Sequence, residues 1–354
     1  MAQITIHEKY REERSKECAL VCNITRSSVT AVYYDIALER RVGRSICYNA
    51  QVTPETVMYH LRCIIFASME QYKISAVDIK TLVLAAPPVA TMLLEECAQP
   101  TEFFLQEDTE LLIMPIVSAT LGGGFAAALA SVELEDGVAV AEISDSIAIA
   151  RLDEAKLQCV SMPLSGGFSG ESITDGMICE RGAIDDVWRE HDGTICYSVE
   201  GDIDSCGIAP SAAVAALRIM LEQGIVDSDG IMTDRDNFAL GEEFFISQSD
   251  VRLLQSDRAM TAAVLSIFEG SKVYFSGEVF CVNGMKSLSE IGAISLEMAE
   301  TAGFCRSAAE QGMINCAVDR SLYERICSLS AACEDATDMF TEQIDDLYIK
   351  KLTF

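Results

Sequence analysis

Apolar and polar positions alternate in a way that divides the chain into one run of strands and helices, followed by a second run of the same kind. Residues 1–16 are a polar lead-in. Residues 18–23 are apolar and residues 28–37 are rich in Val, Tyr and Thr, which predicts a hairpin turning through Asn23-Ile24-Thr25-Arg26-Ser27-Ser28. Residues 53–71 predict a helix, with Thr53 as its cap, Pro54 in its first turn and a stripe of Val57, Leu61, Ile64, Ile65 and Met69. Residues 79–85 predict a short buried strand that stops at Pro87-Pro88, 111–116 an extended segment, and 122–131 an Ala-rich helix.

A second hairpin is then predicted from strands at 138–143 and 147–152 around the small polar turn Ser144-Asp145-Ser146. A core of two similar halves, each opening on a hairpin, is the reading this supports. Further on, Gly166-Gly167-Phe168-Ser169-Gly170 is a glycine loop and 183–190 a short helix. Residues 210–223 predict a helix closed by Gly224, and 248–269 a longer one capped by Ser249 and ended by Gly270. Residues 272–275 read as a strand, 287–298 and 307–315 as helices, and 322–352 as helix passing into a strand-like stretch at 348–354. The expected organisation is the lead-in 1–16, an N-terminal lobe 17–135 and a C-terminal lobe 136–354.

Length agrees with two lobes, since 354 residues exceed what one simple core usually spans. Charge narrows the partners. With 55 acidic against 26 basic residues the net charge is -29, and such a surface repels DNA, RNA and anionic lipid. Solubility is the plain reading of that charge; a basic partner or a salty cytoplasm is the functional one. Residues 1–16 carry no apolar export signal, and the longest apolar candidate, 117–132, holds three glycines and runs into Glu133. A cytoplasmic protein with no membrane span is expected.

The fourteen cysteines are scattered, with no CxxC pair and no run able to hold an iron–sulfur cluster, so no such cluster and no metal site are expected. Most should be reduced and buried. Cys18 and Cys22 fall on one face of a strand, where they can pack or hold a metal; packing is the favoured reading. The histidines, His7, His60 and His191, are isolated from one another, which excludes a histidine metal site or a Ser-His-Asp triad. Met177 and Trp188 read as core residues.

Several motifs then occur in a fixed order. Ser165-Gly166-Gly167-Phe168-Ser169-Gly170 runs into Ile173-Thr174-Asp175-Gly176-Met177 and Gly182-Ala183-Ile184. Gly224-Ile225-Val226-Asp227 with Gly230, Ile246-Ser247-Gln248-Ser249-Asp250-Val251-Arg252 with Leu254-Gln255, and the segment 272–284 with Ile291-Gly292 follow. This series resembles the actin-like ATPase part of the reductive activators of corrinoid proteins, closely over residues 160–295 and in outline over 17–135. The resemblance implies an α/β, two-lobed actin-like ATPase fold (a duplicated ribonuclease H-like core) that takes Mg-ATP between its lobes. It also implies a corrinoid protein or methyltransferase-system component as partner, and pairing into a homodimer. In such activators an N-terminal iron–sulfur domain passes electrons to cobalt(II) corrinoid. No such domain is expected here, because the chain begins almost at the first actin-like strand.

The departures from that pattern concern the phosphate loops. The superfamily's two turns have the form Asp-Ile-Gly-Thr, in which glycine lets backbone N–H groups approach phosphate and Asp holds the metal or its waters. Here the first turn presents Asn23, Thr25, Arg26, Ser27 and Ser28, and the second presents Glu142, Ser144, Asp145 and Ser146. Glu142 is the one candidate catalytic carboxylate. Gly166, Gly167, Gly170 and Gly277 complete the altered nucleotide cleft by resemblance, while the plain reading of the glycine loop is a tight turn. Gly207-Ile208-Ala209-Pro210-Ser211-Ala212 stands where the family has Gly-Ile-Cys-Gly-Ser-Gly, and its proline lacks an N–H. Arg26 is expected either to pair with Asp145 or Glu142 in place of nucleotide, or to be a solvated turn residue. Three functions compete: a pseudo-ATPase acting by protein contact in corrinoid or methyl-transfer metabolism, a working ATPase subunit fed by a separate ferredoxin, and a small-molecule kinase.

Overall fold

Two sheets built on one plan organise the chain in a computed structural model that describes residues 3–6, 15–25, 28–48, 52–53, 55–201, 203–233, 236–241 and 243–354. The residues separate into two compact units. The first comprises Met1–Leu134, Ala155–Leu157 and Ser307–Glu334; the second comprises Glu135–Glu154, Gln158–Arg306 and Asp335–Phe354.

In the first unit the predicted hairpin forms from Cys18–Ile24 and Ser28–Asp35, antiparallel with Val21 opposite Val32. Arg40–Tyr48 adds a third antiparallel strand. On the other side of the first strand, Ile79–Ala85 and then Glu110–Ile113 join in parallel. The parallel strands are buried, as their near-continuous apolar sequence requires. Cys18 and Cys22 are both buried among these strands.

Helix Val57–Tyr72 buries Leu61, Ile64 and Ile65 against the sheet. It starts at Val57 rather than near Thr53, because Thr53 and Thr56 form a separate turn in which the Thr53 N–H donates to Thr56 Oγ1 at 2.9 Å. Pro54 lies outside the described residues. Pro87-Pro88, which ends a strand, also opens the unforeseen helix Pro88–Cys97.

The first unit also takes residues from late in the chain. Helix Gly123–Leu129 packs on helix Ala308–Val318 so closely that a Cβ on Gly312 would lie 1.7 Å from the Ala127 carbonyl oxygen. Glu310, on the same helix and buried, receives Arg44 Nε at 3.0 Å. On the following helix, Arg320–Ala331, Tyr323 donates to the Ile113 carbonyl at 2.8 Å. The linear reading, which put all of 136–354 together, does not reveal this return.

The second unit repeats the plan. Val138–Ile143 and Ser146–Asp153 pair antiparallel, with Lys156–Pro163 next in the sheet. Lys272–Ser276 joins the first strand in parallel, and Gly303–Phe304 lies parallel beyond it. Around this sheet pack helix Pro210–Glu222, buried over most of its length, and helix Gln248–Ile267.

Five local expectations change. Residues 183–190 form no helix: Ala183–Arg189 is a strand, antiparallel to Ile195–Val199 and parallel to Gly207–Ile208. Trp188 at its end is 37% exposed and donates to Glu190 at 2.9 Å, so it is not core. The long helix is capped by Ser247, not Ser249, in a capping box with Asp250. Residues 287–298 divide into helices Gly284–Glu290 and Leu296–Thr301, with Gly292 left-handed between them (φ 79°). The tail is helical over Thr337–Lys351, with Ile344 buried, so 348–351 continue the helix and form no strand.

Candidate functional site

The tip of the first hairpin closes on itself. The Thr25 N–H donates to the Ser28 carbonyl at 2.8 Å, the Ser28 N–H donates to Thr25 Oγ1 at 2.9 Å, and the two hydroxyls lie 2.9 Å apart. Arg26 and Ser27 lie outside the described residues, so the expected pairing of Arg26 falls there as well. Asn23, just before the turn, is half-buried, and its Oδ1 atom is buried without a hydrogen-bond partner among the described residues. A Cβ on Gly124 of the same unit would lie 3.4 Å from that oxygen.

The tip of the second hairpin is also internally bonded. The Ser144 N–H donates to the Ser146 carbonyl at 3.0 Å, and the Leu164 N–H donates to the Asp145 carbonyl at 2.9 Å. The Ser144 hydroxyl donates to Asp145 Oδ1 at 3.2 Å. Glu142, on the strand leading into this tip, is half-buried and held opposite Ser276 and Ala148. Loss of surrounding water, reinforced by the charge of Asp145, pushes the Glu142 carboxyl up to about 7. Gly277 follows Ser276 with φ 131°, and a Cβ there would lie 2.0 Å from the Ile143 carbonyl oxygen, so only glycine fits beside the hairpin strand.

The glycine loop has its own acceptor. Asp257, on helix Gln248–Ile267 and fully buried, receives the N–H of Gly167 at 2.7 Å, of Phe168 at 2.9 Å and of Ser165. Burial raises its carboxyl above the ordinary aspartate range, against the pull of those three amides. Gly166 and Gly170 have φ of 89° and 79°, which makes this a left-handed tight turn wrapped on a carboxylate.

The other motifs are tied together in the same manner. Asp250 Oδ1 receives the Thr174 N–H at 2.8 Å while Oδ2 receives the Ser247 N–H at 2.7 Å. Gln248 donates to the Gly230 carbonyl at 2.8 Å and accepts from the Met232 N–H at 2.8 Å. Arg252 donates to the Asp229 carbonyl and, at 2.8 Å, to Gln255 Oε1. In the third altered segment, the Ala209 N–H donates to Ile184 at 2.8 Å and Ser211 Oγ donates to the Asp185 carbonyl at 2.6 Å.

The chain superposes on a solved structure named reductive activator for corrinoid, iron-sulfur protein with a TM-score of 0.80 and 16% identity, covering 97% of this chain and 67% of that one. The fold is that of the actin-like ATPases. Ethanolamine utilization protein EutJ from Carboxydothermus hydrogenoformans matches at a TM-score of 0.44 and 10% identity, over 88% of this chain and 92% of that one. Gluconate kinase from Lactobacillus acidophilus matches at 0.40 and 10%, over 95% and 97%. No protein-family model matches the chain, and no curated protein matches it.

The N–H groups of Thr25, Ser28 and Ser144 have partners inside their own hairpins, and those of Ser165, Gly167 and Phe168 are bound to Asp257. Asp145 adds a negative charge at the second tip. A carboxylate about 4 Å from a phosphate charge costs on the order of 4 kcal/mol at an effective dielectric near 20, roughly a thousandfold in affinity. Sequence reasoning missed Asp257, whose partners lie about ninety residues away. It also missed a cluster of Cys179, Glu278 and Cys281 in the second unit.

Proposed function

We propose that this chain is a degenerate actin-like protein, related to ATP-dependent reductive activators of corrinoid proteins, that acts by protein contact in corrinoid or methyl-transfer metabolism and holds Mg-ATP weakly or not at all. The observation that carries this reading is the second hairpin tip, where Glu142 and Asp145 put two carboxylates beside amides already bonded within the protein. The corrinoid partner comes from the name of the superposed activator. A cytoplasmic location belongs to the same proposal; no described helix is long and apolar enough to cross a membrane.

A second reading, a working ATPase subunit fed by a separate ferredoxin, draws on Glu142. A carboxyl near neutrality suits a general base for an attacking water. Interferometry against a purified corrinoid iron–sulfur protein separates the two. The first reading expects the same dissociation constant, within about twofold, with and without about 1 mM Mg-ATP. Binding that appears only with Mg-ATP, together with ATP-dependent reduction of cobalt(II) by added ferredoxin, supports the second. No binding in either condition removes the corrinoid partner.

A further inference from the structure

We propose that Cys179, Glu278 and Cys281 form a site for a thiophilic divalent cation, zinc being the best match, with one coordination position left to water or an outside ligand. Their ligand atoms all lie within 4.8 Å of one another. Cys281 Sγ and Glu278 Oε2 are 3.8 Å apart. A tetrahedral zinc with bonds of about 2.3 Å to sulfur and 2.0 Å to oxygen sets ligand atoms roughly 3.5–3.8 Å apart, so small side-chain adjustments close the site.

The backbone presents these groups together. Gly277 (φ 131°) starts a single turn of 3-10 helix, Glu278–Phe280, and positions three apart on such a turn stack on one side, which aligns Glu278 with Cys281. Cys179 arrives on the loop that follows Met177, whose N–H is fixed to the Ile208 carbonyl at 3.0 Å. The Cys179 N–H donates to Glu278 Oε2 at 3.2 Å. Arg306 donates to the Cys179 carbonyl and lies 3.5 Å from Glu278 Oε2, which orients the carboxylate as outer partners do around metal ligands.

Charge also balances. With both thiols protonated, Glu278, the neighbouring Glu180 and Arg306 sum to one negative charge. With both deprotonated and a dication bound the sum is the same, so the cation exchanges for two protons at no net cost in charge. Cys179 is fully buried, whereas the Glu278 side chain is 38% exposed, giving an entry path and an open position. The fold's nucleotide chemistry does not call for this trio, and Cys179 sits about a hundred residues from the other two in sequence.

The test uses the full chain, reduced and freed of metal with chelator, then titrated with Co2+ and afterwards with Zn2+. One equivalent of Co2+ should produce a thiolate-to-cobalt charge-transfer band that Zn2+ abolishes. Cys281→Ser should lose the band, Glu278→Gln should weaken binding on the order of tenfold or more, and a Cys97→Ser, Cys206→Ser double variant, altering two exposed cysteines, should behave as wild type. Cys281 is only half-buried, and circular dichroism confirms that its variant is folded. Absence of a saturable band, a band unchanged in Cys281→Ser, or a Cys179–Cys281 disulfide whose reduction yields no metal binding would overturn the proposal.

Discussion

Asp257→Ala is expected to destabilise the second unit by about 3–5 kcal/mol, because it leaves three amides of the glycine loop without their acceptor at about 1–3 kcal/mol each, part of it recovered by water. In a chain of 354 residues that lowers the melting midpoint by about 4–7 °C. Asp257→Asn keeps one carbonyl oxygen for the loop and should lose less than half as much. Differential scanning calorimetry of the three proteins checks this. An Asp257→Ala protein within about 1 kcal/mol of wild type would mean that the loop amides have other partners available and are free to meet a ligand.

Glu142→Gln is expected to stabilise the protein at alkaline pH. The folded-state carboxyl is raised to about 7 from an ordinary 4.5, so the folded protein binds this proton more tightly than the unfolded chain does. The stabilisation that protonated Glu142 provides is complete below about 4.5, declines as pH rises, and is gone above about 7. At pH 8 the ionised group costs up to about 3 kcal/mol, which glutamine removes. Denaturant titrations at pH 5 and pH 8 should therefore show a large gain for the variant at pH 8 and little at pH 5. Asp145→Asn should recover part of that gain, since Asp145 contributes to the shift. A Glu142→Gln protein no more stable than wild type at pH 8 would place the carboxylate in a site that welcomes its charge.

The parts of the fold that were legible in sequence are those set by local pattern. Both hairpins were readable because apolar runs flank small polar turns, and the buried parallel strand Ile79–Ala85 because its apolar run ends at a proline pair. Residues 183–189 misled because Ala183, Ile184, Val187 and Trp188 fall at helical spacing, while the pairing that makes them a strand comes from residues 195–199 and 207–208. The helix 308–318 was visible, but not its membership of the first unit, which depends on Gly312 meeting Ala127.

The motifs were recognisable as a series, yet what they do was not. Thr174 and Asp250 are 76 residues apart, and their hydrogen bond turns two motifs into one structural tie. Gln248, Arg252 and Gln255 likewise hold the turn at 229–232. The motifs on which the resemblance rests are therefore largely residues that hold the fold together. The tips, where the resemblance places the phosphates, are where the sequence departs from the form Asp-Ile-Gly-Thr.

Calorimetric titration with Mg-ATP of the wild-type chain beside a Ser144→Gly, Asp145→Thr variant tests that difference directly. The wild type should give no saturable heat up to about 1 mM, and the variant, with its second tip reopened and one negative charge removed, should bind at least tenfold more tightly. Wild-type binding tighter than about 100 μM would show that an acidic, self-bonded tip still grips a triphosphate.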